Sequence, residues 1–404
     1  MYTISSLLSD TKIISGDIEC LNKGKICEVF NDDIIDFFSD LSKEILKNKD
    51  AKEFSDLVTF AFFCRRASLS KLKKSFKTNH IRIGWGGAIH ITPSNVPINT
   101  AYSFLFSSLS GNINILRIPS NFYPQLEIFF NSINDLCNKN KYKKVKNTFC
   151  FIQTPRNGIL LKEFLNKSDI RIVWGGDNTV NDIRSIQSKP GSIELAFPDR
   201  KSICIIDTQS ISLLSNKELN QLTDKFYNDT LLIDQNACSS PTTIIWLGKK
   251  KVKDTSLRFW DSVRRSELRN GPIGVKKYID KMVNLANEIQ SDENPDLKFK
   301  EFGLGTTVQK STQKEINHNL EKFNLGRYLE YEVENLEFLE TIISKKTQTI
   351  TYFGINPEDI SELVINHGLK GIDRIVPIGN ALDMGLIWDG KDLVKNLSRI
   401  ISIY

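Results

Sequence analysis

The chain has 404 residues, of which 40% are hydrophobic and 25% charged, with 54 Lys and Arg against 48 Asp and Glu. That balance belongs to an ordinary globular protein of two or three domains at roughly 150 residues each, and it excludes disordered, collagenous and disulfide-scaffold chains. A formal net charge of +6, with no basic arm or acidic tail, predicts neither a nucleic-acid nor a membrane partner, and the Lys-rich runs at 141–146 and 249–253 read as solvated edges.

The first residues, Met1 to Leu8, lack the cationic and apolar regions of a secretory signal, and the apolar stretch from Leu57 to Cys64 is far short of the roughly 20 residues that span a bilayer. A cytoplasmic location is therefore expected. The first 80 residues read as mostly helical, with apolar stripes at Ile34, Ile35, Phe37, Phe38 and Leu41 and again at Leu57, Phe60 and Phe63. The segment Trp85 to Pro97 sets Gly, Pro and Asn between apolar stretches. From Ile113 an alternation begins. A strand to Ile118 is stopped by Pro119, a helix runs through Gln125 to Cys137, and strands follow at Thr148–Gln153, Asp169–Trp174 and Ser202–Asp207, with helix-like segments between them. This is the pattern of a parallel α/β sheet. A second α/β unit is predicted from a strand at Thr242–Leu247, an amphipathic segment from Ser256 to Asn287, and strands near Thr349–Phe353 and Ile375–Pro377. The tail from Leu393 to Tyr404 ends in an apolar, strand-like run.

The seven cysteines, Cys20, Cys27, Cys64, Cys137, Cys150, Cys204 and Cys238, are scattered and form no Cys-x-x-Cys pair, as expected of reduced thiols. With four histidines and no His-Glu-x-x-His, no metal site is expected. There is neither a Gly-x-Gly-x-x-Gly fingerprint nor a P-loop, so any nucleotide must be held by other means.

Three segments carry candidate chemistry. Strand 170–174 runs into Gly175-Gly176 and then a helical stretch, which is either a phosphate-binding helix start or a plain strand-to-helix turn capped by Asp177. Asp234-Gln-Asn-Ala-Cys238-Ser-Ser-Pro241 is small and polar around one thiol, which reads as a nucleophile of lowered pKa or as a buried structural cysteine. Asn95, in a turn fixed by prolines, reads as an oxyanion donor or as the cap of the helix after Pro97. His90 reads as a packed or cofactor-shell histidine rather than a base, since no acidic partner or Ser motif neighbours it in sequence.

Taken in order, Pro-Ser-Asn95-Val-Pro, Ser110-Gly-Asn-Ile-Asn-Ile-Leu-Arg117-Ile-Pro-Ser120, Val-Trp-Gly175-Gly176, Ile-Glu194-Leu and Asp-Gln235-Asn-Ala-Cys238 resemble the aldehyde dehydrogenase superfamily, and within it the LuxC-type acyl-CoA reductases. The likeness continues through Lys345 to Ile350, Gly371 to Val376 and Trp388-Asp-Gly390, and so covers residues 80–404. It implies two Rossmann-like α/β domains with parallel sheets: a cofactor-binding domain over 1–207 that is helical over its first 80 residues, a catalytic domain over 208–385, and a C-terminal tail over 386–404 that joins a neighbouring subunit.

The implied activity is NADPH-dependent reduction of a fatty acyl-CoA or protein-bound acyl thioester to the aldehyde, with an acyl-protein synthetase or acyltransferase as partner. By the same resemblance Cys238 is the nucleophile, and Asn95 with the Cys238 backbone N–H forms the oxyanion hole. Gly175 and Gly176 make the cofactor turn, and Arg117 and Ser120 lie near the adenosine ribose. Arg117 stands where the superfamily has Lys, which suits a 2′-phosphate. Glu194 is retained, but Ala196-Phe197 replaces the superfamily's Gly-Gly, which puts its general-base role in question. Two other readings stand beside this one: an aldehyde dehydrogenase with a working base at Glu194, and a non-catalytic protein that holds an acyl group on Cys238.

Overall fold

Runs of β-branched and aromatic residues, buried on both faces, build two mostly parallel sheets in this computed structural model, which describes residues 10–121, 123–249, 252–271, 274–290, 299–311 and 324–403. The chain divides into two units, Met1–Pro198 with Gly385–Tyr404, and Asp199–Met384.

The first unit begins with strand β1 (Lys12–Gly16), followed by helices α1 (Asp32–Lys47), α2 (Ser55–Phe63) and α3 (Arg66–Ser75). Asn31 caps α1 by accepting the Asp33 N–H, and Asp32 and Asp33 at its start with Lys47 at its end complement the helix dipole. Strand β2 (Ile81–Gly84) and then β3 (Gly87–Ile91), α4 (Asn99–Leu109), β4 (Ile113–Arg117), α5 (Pro124–Cys137), β5 (Phe149–Gln153), α6 (Ile159–Lys167), β6 (Ile170–Trp174), α7 (Asp177–Arg184) and β7 (Ile193–Phe197) complete the alternation. The sheet order is β1-β5-β4-β3-β6-β7, parallel except for β1 against β5. One face is sealed by rings, with Phe37, Phe104 and Phe149 in edge and tilted contacts. The other face is sealed by Leu160, Leu161 and Phe164 of α6 and Val180 and Ile183 of α7.

The second unit carries β8 (Lys201–Asp207), helix α8 (Asn216–Asp229), β9 (Pro241–Leu247), α9 (Val252–Asn270), α10 (Val275–Gln290), β10 (Phe299–Phe302), β11 (Thr306–Lys310), β12 (Arg327–Val333), β13 (Thr347–Phe353) and β14 (Arg374–Pro377). Its sheet order is β10-β11-β12-β9-β8-β13-β14, parallel except at the β10 edge. The tail returns to the first unit, where β15 (Ser398–Ile401) pairs antiparallel with β2.

The predicted α/β class with its helical N-terminal region and C-terminal strand is what the chain forms, and the strands expected at 113–118, 148–153, 169–174, 202–207 and 242–247 lie within a residue of those observed. The amphipathic segment expected at 256–287 is two helices, parted near Gly271, whose φ of +118° suits no residue with a side chain. The units part at 198/199 and 384/385, against the expected 207/208 and 385/386. The first shift arises because strand 201–207 pairs with β9 and β13 of the second sheet. Among the described residues no helix is long and apolar enough to cross a membrane.

Candidate active site

In the first sheet the chain moves from β3 outward to β4 and β5, then jumps back to place β6 and β7 on the other side of β3. Crossovers therefore diverge between β3 and β6, and the crevice outside the carboxyl ends of strands at such a point is where open α/β sheets bind ligands. Asn95 follows β3, Arg117 ends β4 with Ser120 three residues on, and Gly175-Gly176 follow β6. The fold thus gathers five predicted site residues of the first unit on one edge of one sheet.

Asn95 is exposed on the turn between β3 and α4, and Ile98 rather than Asn95 occupies the N-cap of that helix. Ser120 lines a cavity of about 300 Å³ together with Asn121, Tyr123, Glu127 and Gln153. Arg117 is buried, and its Nε–H donates to the Thr154 carbonyl at 3.2 Å. Burial, and then the charge of Arg156, hold its pKa below the usual arginine value. Arg156, on the exposed turn after β5, is a neighbour that sequence reasoning missed; the signal available was the Pro155-Arg156-Asn157-Gly158 turn at a strand end.

Gly175 packs so closely that a Cβ there would lie 2.9 Å from Thr179 Cγ2, and Gly176 is the N-cap of α7. Glu194 lies on edge strand β7, where Oε1 accepts from both Nε and Nη2 of Arg184 at 2.8 Å. His90 is fully buried, with Nδ1 2.8 Å from Ser103 Oγ and Nε2 3.1 Å from Asn114 Oδ1. Asn114 Oδ1 can only accept, so Nε2 carries the proton and Nδ1 accepts the Ser103 O–H, whose oxygen also accepts the Trp174 Nε1–H at 3.0 Å; His90 is a neutral packed ring held down to about pKa 4 by burial.

In the second unit Cys238 lies three residues before β9, at the amino edge of the sheet. Polar side chains fix this loop. Gln235 is the chief of them: Oε1 accepts the N–H groups of Gly326 at 2.7 Å and Arg327 at 3.1 Å, and Nε2 donates to the carbonyls of Pro241 at 3.1 Å and Arg327 at 3.3 Å. Ser202 Oγ–H donates to the Cys238 carbonyl at 2.7 Å and accepts the Thr349 N–H at 3.2 Å. Asp234 and Gln235 both hold left-handed backbone, φ +55°, an uncommon conformation for residues with side chains. Sequence reading identified the Cys238 motif but assigned no role to Gln235 or Ser202, whose partners lie far along the chain.

The remaining thiols are unsuited to nucleophilic work. Burial raises Cys27 and Cys137 to about 11 and Cys150 and Cys204 to about 12, and it pushes Cys20 and Cys64 well above the ordinary thiol value. Cys238 is only partly buried.

The carboxyl edge of the first sheet fits a nicotinamide dinucleotide. A glycine with no room for a Cβ leads into a helix start, which suits the approach of a pyrophosphate, and two neighbouring guanidinium groups suit a further phosphate.

Residues 41–402 match the acyl-CoA reductase (LuxC) family. A long-chain acyl-protein thioester reductase of Photorhabdus luminescens is 25% identical over 336 residues, which is 78% of this chain and 63% of that protein. The chain therefore spans less than two thirds of that relative's length. Among solved structures, the lactaldehyde dehydrogenase of Escherichia coli superposes with a TM-score of 0.65 at 13% identity, covering 92% of this chain and 86% of that one. Aldehyde dehydrogenase 21 of Physcomitrella patens gives 0.62 at 11% identity, with 91% and 84% covered. These two likenesses establish the fold.

Proposed function

The chain belongs to the acyl-CoA reductase (LuxC) family, and from that premise we propose that it reduces an acyl thioester to the aldehyde with NADPH, through an acyl group held on Cys238. The observation that carries this reading is that Cys238, in a loop pinned by Gln235 and Ser202, is one of two thiols among seven that escape deep burial, and the other, Cys27, is pushed up to about 11.

In the proposed reaction the Cys238 thiolate attacks the thioester carbonyl, the C–S bond to the donor thiol breaks, and a new thioester links the acyl group to Cys238. Asn95 and the Cys238 backbone N–H are the proposed donors to the oxyanion. Gly175, Gly176, Arg117 and Ser120 would hold the cofactor, with Arg156 beside Arg117 as the second cation for a 2′-phosphate. When bound, NADPH supplies a hydride equivalent to the acyl carbon. Addition of that equivalent and a proton releases the aldehyde and returns Cys238 to the thiol or thiolate, so no activated water is needed.

Glu194 supports reduction over oxidation of an aldehyde to the acid. Oxidation needs a carboxylate free to activate water, whereas this one accepts two bonds from Arg184. The donor is proposed to be acyl-CoA or a protein-bound acyl thioester, the latter supplied by an acyl-protein synthetase or acyltransferase.

The test follows NADPH absorbance with acyl-CoAs of increasing chain length, in parallel with aldehyde plus NADP in the opposite direction. Thioester-dependent NADPH consumption with aldehyde formed in equal amount is expected. Acid formed from aldehyde, with no thioester reduction, would establish the dehydrogenase reading instead.

A further inference from the structure

The loop that carries Cys238 is joined to a second loop, residues 377–384, through one buried carboxylate that no step above uses. Asp229 ends α8 and is 1% exposed. Its Oδ2 accepts the Gly379 N–H at 2.6 Å and its Oδ1 the Ala381 N–H at 3.0 Å. Its own backbone carbonyl accepts the Ser240 Oγ–H at 2.7 Å, and Ser240 N–H donates to the Ala237 carbonyl at 2.9 Å. One residue therefore holds loop 377–384 with its side chain and the segment next to Cys238 with its main chain.

The second loop is gripped from its other side as well. Arg374 donates to the carbonyls of Asn380 at 3.2 Å, Ala381 at 2.8 Å and Asp383 at 3.0 Å. Gly379, at φ +103°, is where the loop comes against α8: a Cβ there would lie 2.9 Å from Lys225 Cβ. Donors of the loop thus go to Asp229 and acceptors to Arg374, which leaves little freedom in its path.

We propose, resting on the assignment of Cys238 as nucleophile, that Asp229 is a positioning residue that latches the Cys238 loop, through Ser240, to loop 377–384 and so sets how the thiol is presented to the acyl group. An ionised carboxylate holds two N–H donors by charge-assisted bonds, and protonation converts one acceptor oxygen into a donor and weakens the grip. Several groups bear on its ionisation: burial raises the carboxyl to about 7, the Gly379 and Ala381 N–H bonds oppose this, Asp383 adds to it and Arg374 subtracts. Cys204, close enough to sense the Asp229 charge, is itself pushed up to about 12 and stays a neutral thiol. The latch is therefore engaged above neutral pH and loosened below it.

The test uses the full chain and a small neutral probe, iodoacetamide, with alkylation of Cys238 followed by peptide mass spectrometry across the neutral range. In the parent, the rate is expected to carry an inflection near pH 7, where Asp229 titrates, beside the thiol's own rise. Asp229→Asn should remove that inflection and slow acylation of Cys238 by acyl-CoA by up to about a hundredfold, the scale of a reacting group misplaced by about 1 Å, with the KM for cofactor unchanged. Ser240→Ala leaves the carboxylate and loop 377–384 in place but cuts the link, so it should also lose the inflection; if Asp229→Asn does not fold by circular dichroism, this variant decides alone. Profiles of the folded variants that superimpose on the parent overturn the latch. A parent whose Cys238 takes no acyl group overturns the nucleophile assignment instead, while the alkylation profiles still test the coupling.

Discussion

Cys238 stands out as a candidate in the sequence because its surroundings are small and polar, whereas its partial burial, shared with Cys27 alone among the seven thiols, is something no motif reports. Cys238→Ala is expected to abolish thioester reduction with the thermal midpoint nearly unchanged, whereas Cys204→Ala, in the core, should lower stability and leave the residual folded enzyme active. A dead Cys204→Ala with full fold would reverse that assignment. Asn95→Ala is expected to slow acylation about a hundredfold, the scale for one lost oxyanion donor, with cofactor binding unaltered in a direct titration. Glu194→Gln should leave NADPH-dependent turnover within about tenfold, the range of a dispensable acid–base group; loss of Cys238 acylation in this variant would make the carboxylate the base that activates the thiol. His90, read from the sequence as a packed or cofactor-shell ring, is fully buried. Its folded pKa of about 4 lies below the ordinary 6.5, so the unfolded chain binds the extra proton first, and stability is lost as pH falls from 6.5 towards 4, by about 3 kcal/mol for a shift of that size. Asp229, with its raised carboxyl pKa, gives the opposite slope between its ordinary value of 3.8 and about 7, so the check is a difference. Chemical denaturation of parent and His90→Gln at pH 4.5 and 7 should show the variant losing less on acidification, and equal losses would contradict the neutral ring.

Among the elements, the strands at 113–117, 149–153 and 170–174 were legible because they are apolar on both faces and end in Pro, Gly or a polar turn. The edge strands of the first sheet were not. β1 and β7 pair on one side only and mix polar with apolar residues, so their identity depends on β5 and β6, which lie far along the chain or across a helix. The clamp on the Cys238 loop was invisible for a related reason: Gln235 finds its partners at Gly326 and Arg327, more than 90 positions away. Gly326 stands at φ +78°, and a Cβ there would lie 1.6 Å from the Gly305 carbonyl oxygen. Gly326→Ala should therefore destabilise the protein by about 2 kcal/mol or more, the sum of left-handed strain and backbone displacement. It should also raise the alkylation rate of residues in the Cys238 loop. A melting curve that overlays the parent's would contradict the clamp.

At the scale of the whole molecule, the order of strands explains why distant motifs form one site edge: the switch between β3 and β6 collects the Asn95, Arg117–Ser120 and Gly175–Gly176 segments, although more than 80 residues separate the first from the last. The alternation in the sequence made the parallel sheet legible, whereas the order of its strands, and hence the switch, is a tertiary fact. Ile81, Ile400, Ile401 and Ile403 are exposed along the small β2–β15 sheet, and such an apolar strand edge is a template for a second chain. Deletion of residues 400–404 is expected to reduce an oligomer to the mass of one chain in light scattering, and a parent that is already monomeric would contradict this. The central claim, an acyl group carried on Cys238 and released by reduction, is tested most directly by intact-mass spectrometry of the protein incubated with a long-chain acyl-CoA in the absence of cofactor, followed by addition of NADPH. A single acyl adduct, mapped to Cys238 and discharged as aldehyde on adding NADPH, is the result predicted; an adduct on another residue, or one that NADPH leaves in place, would contradict it.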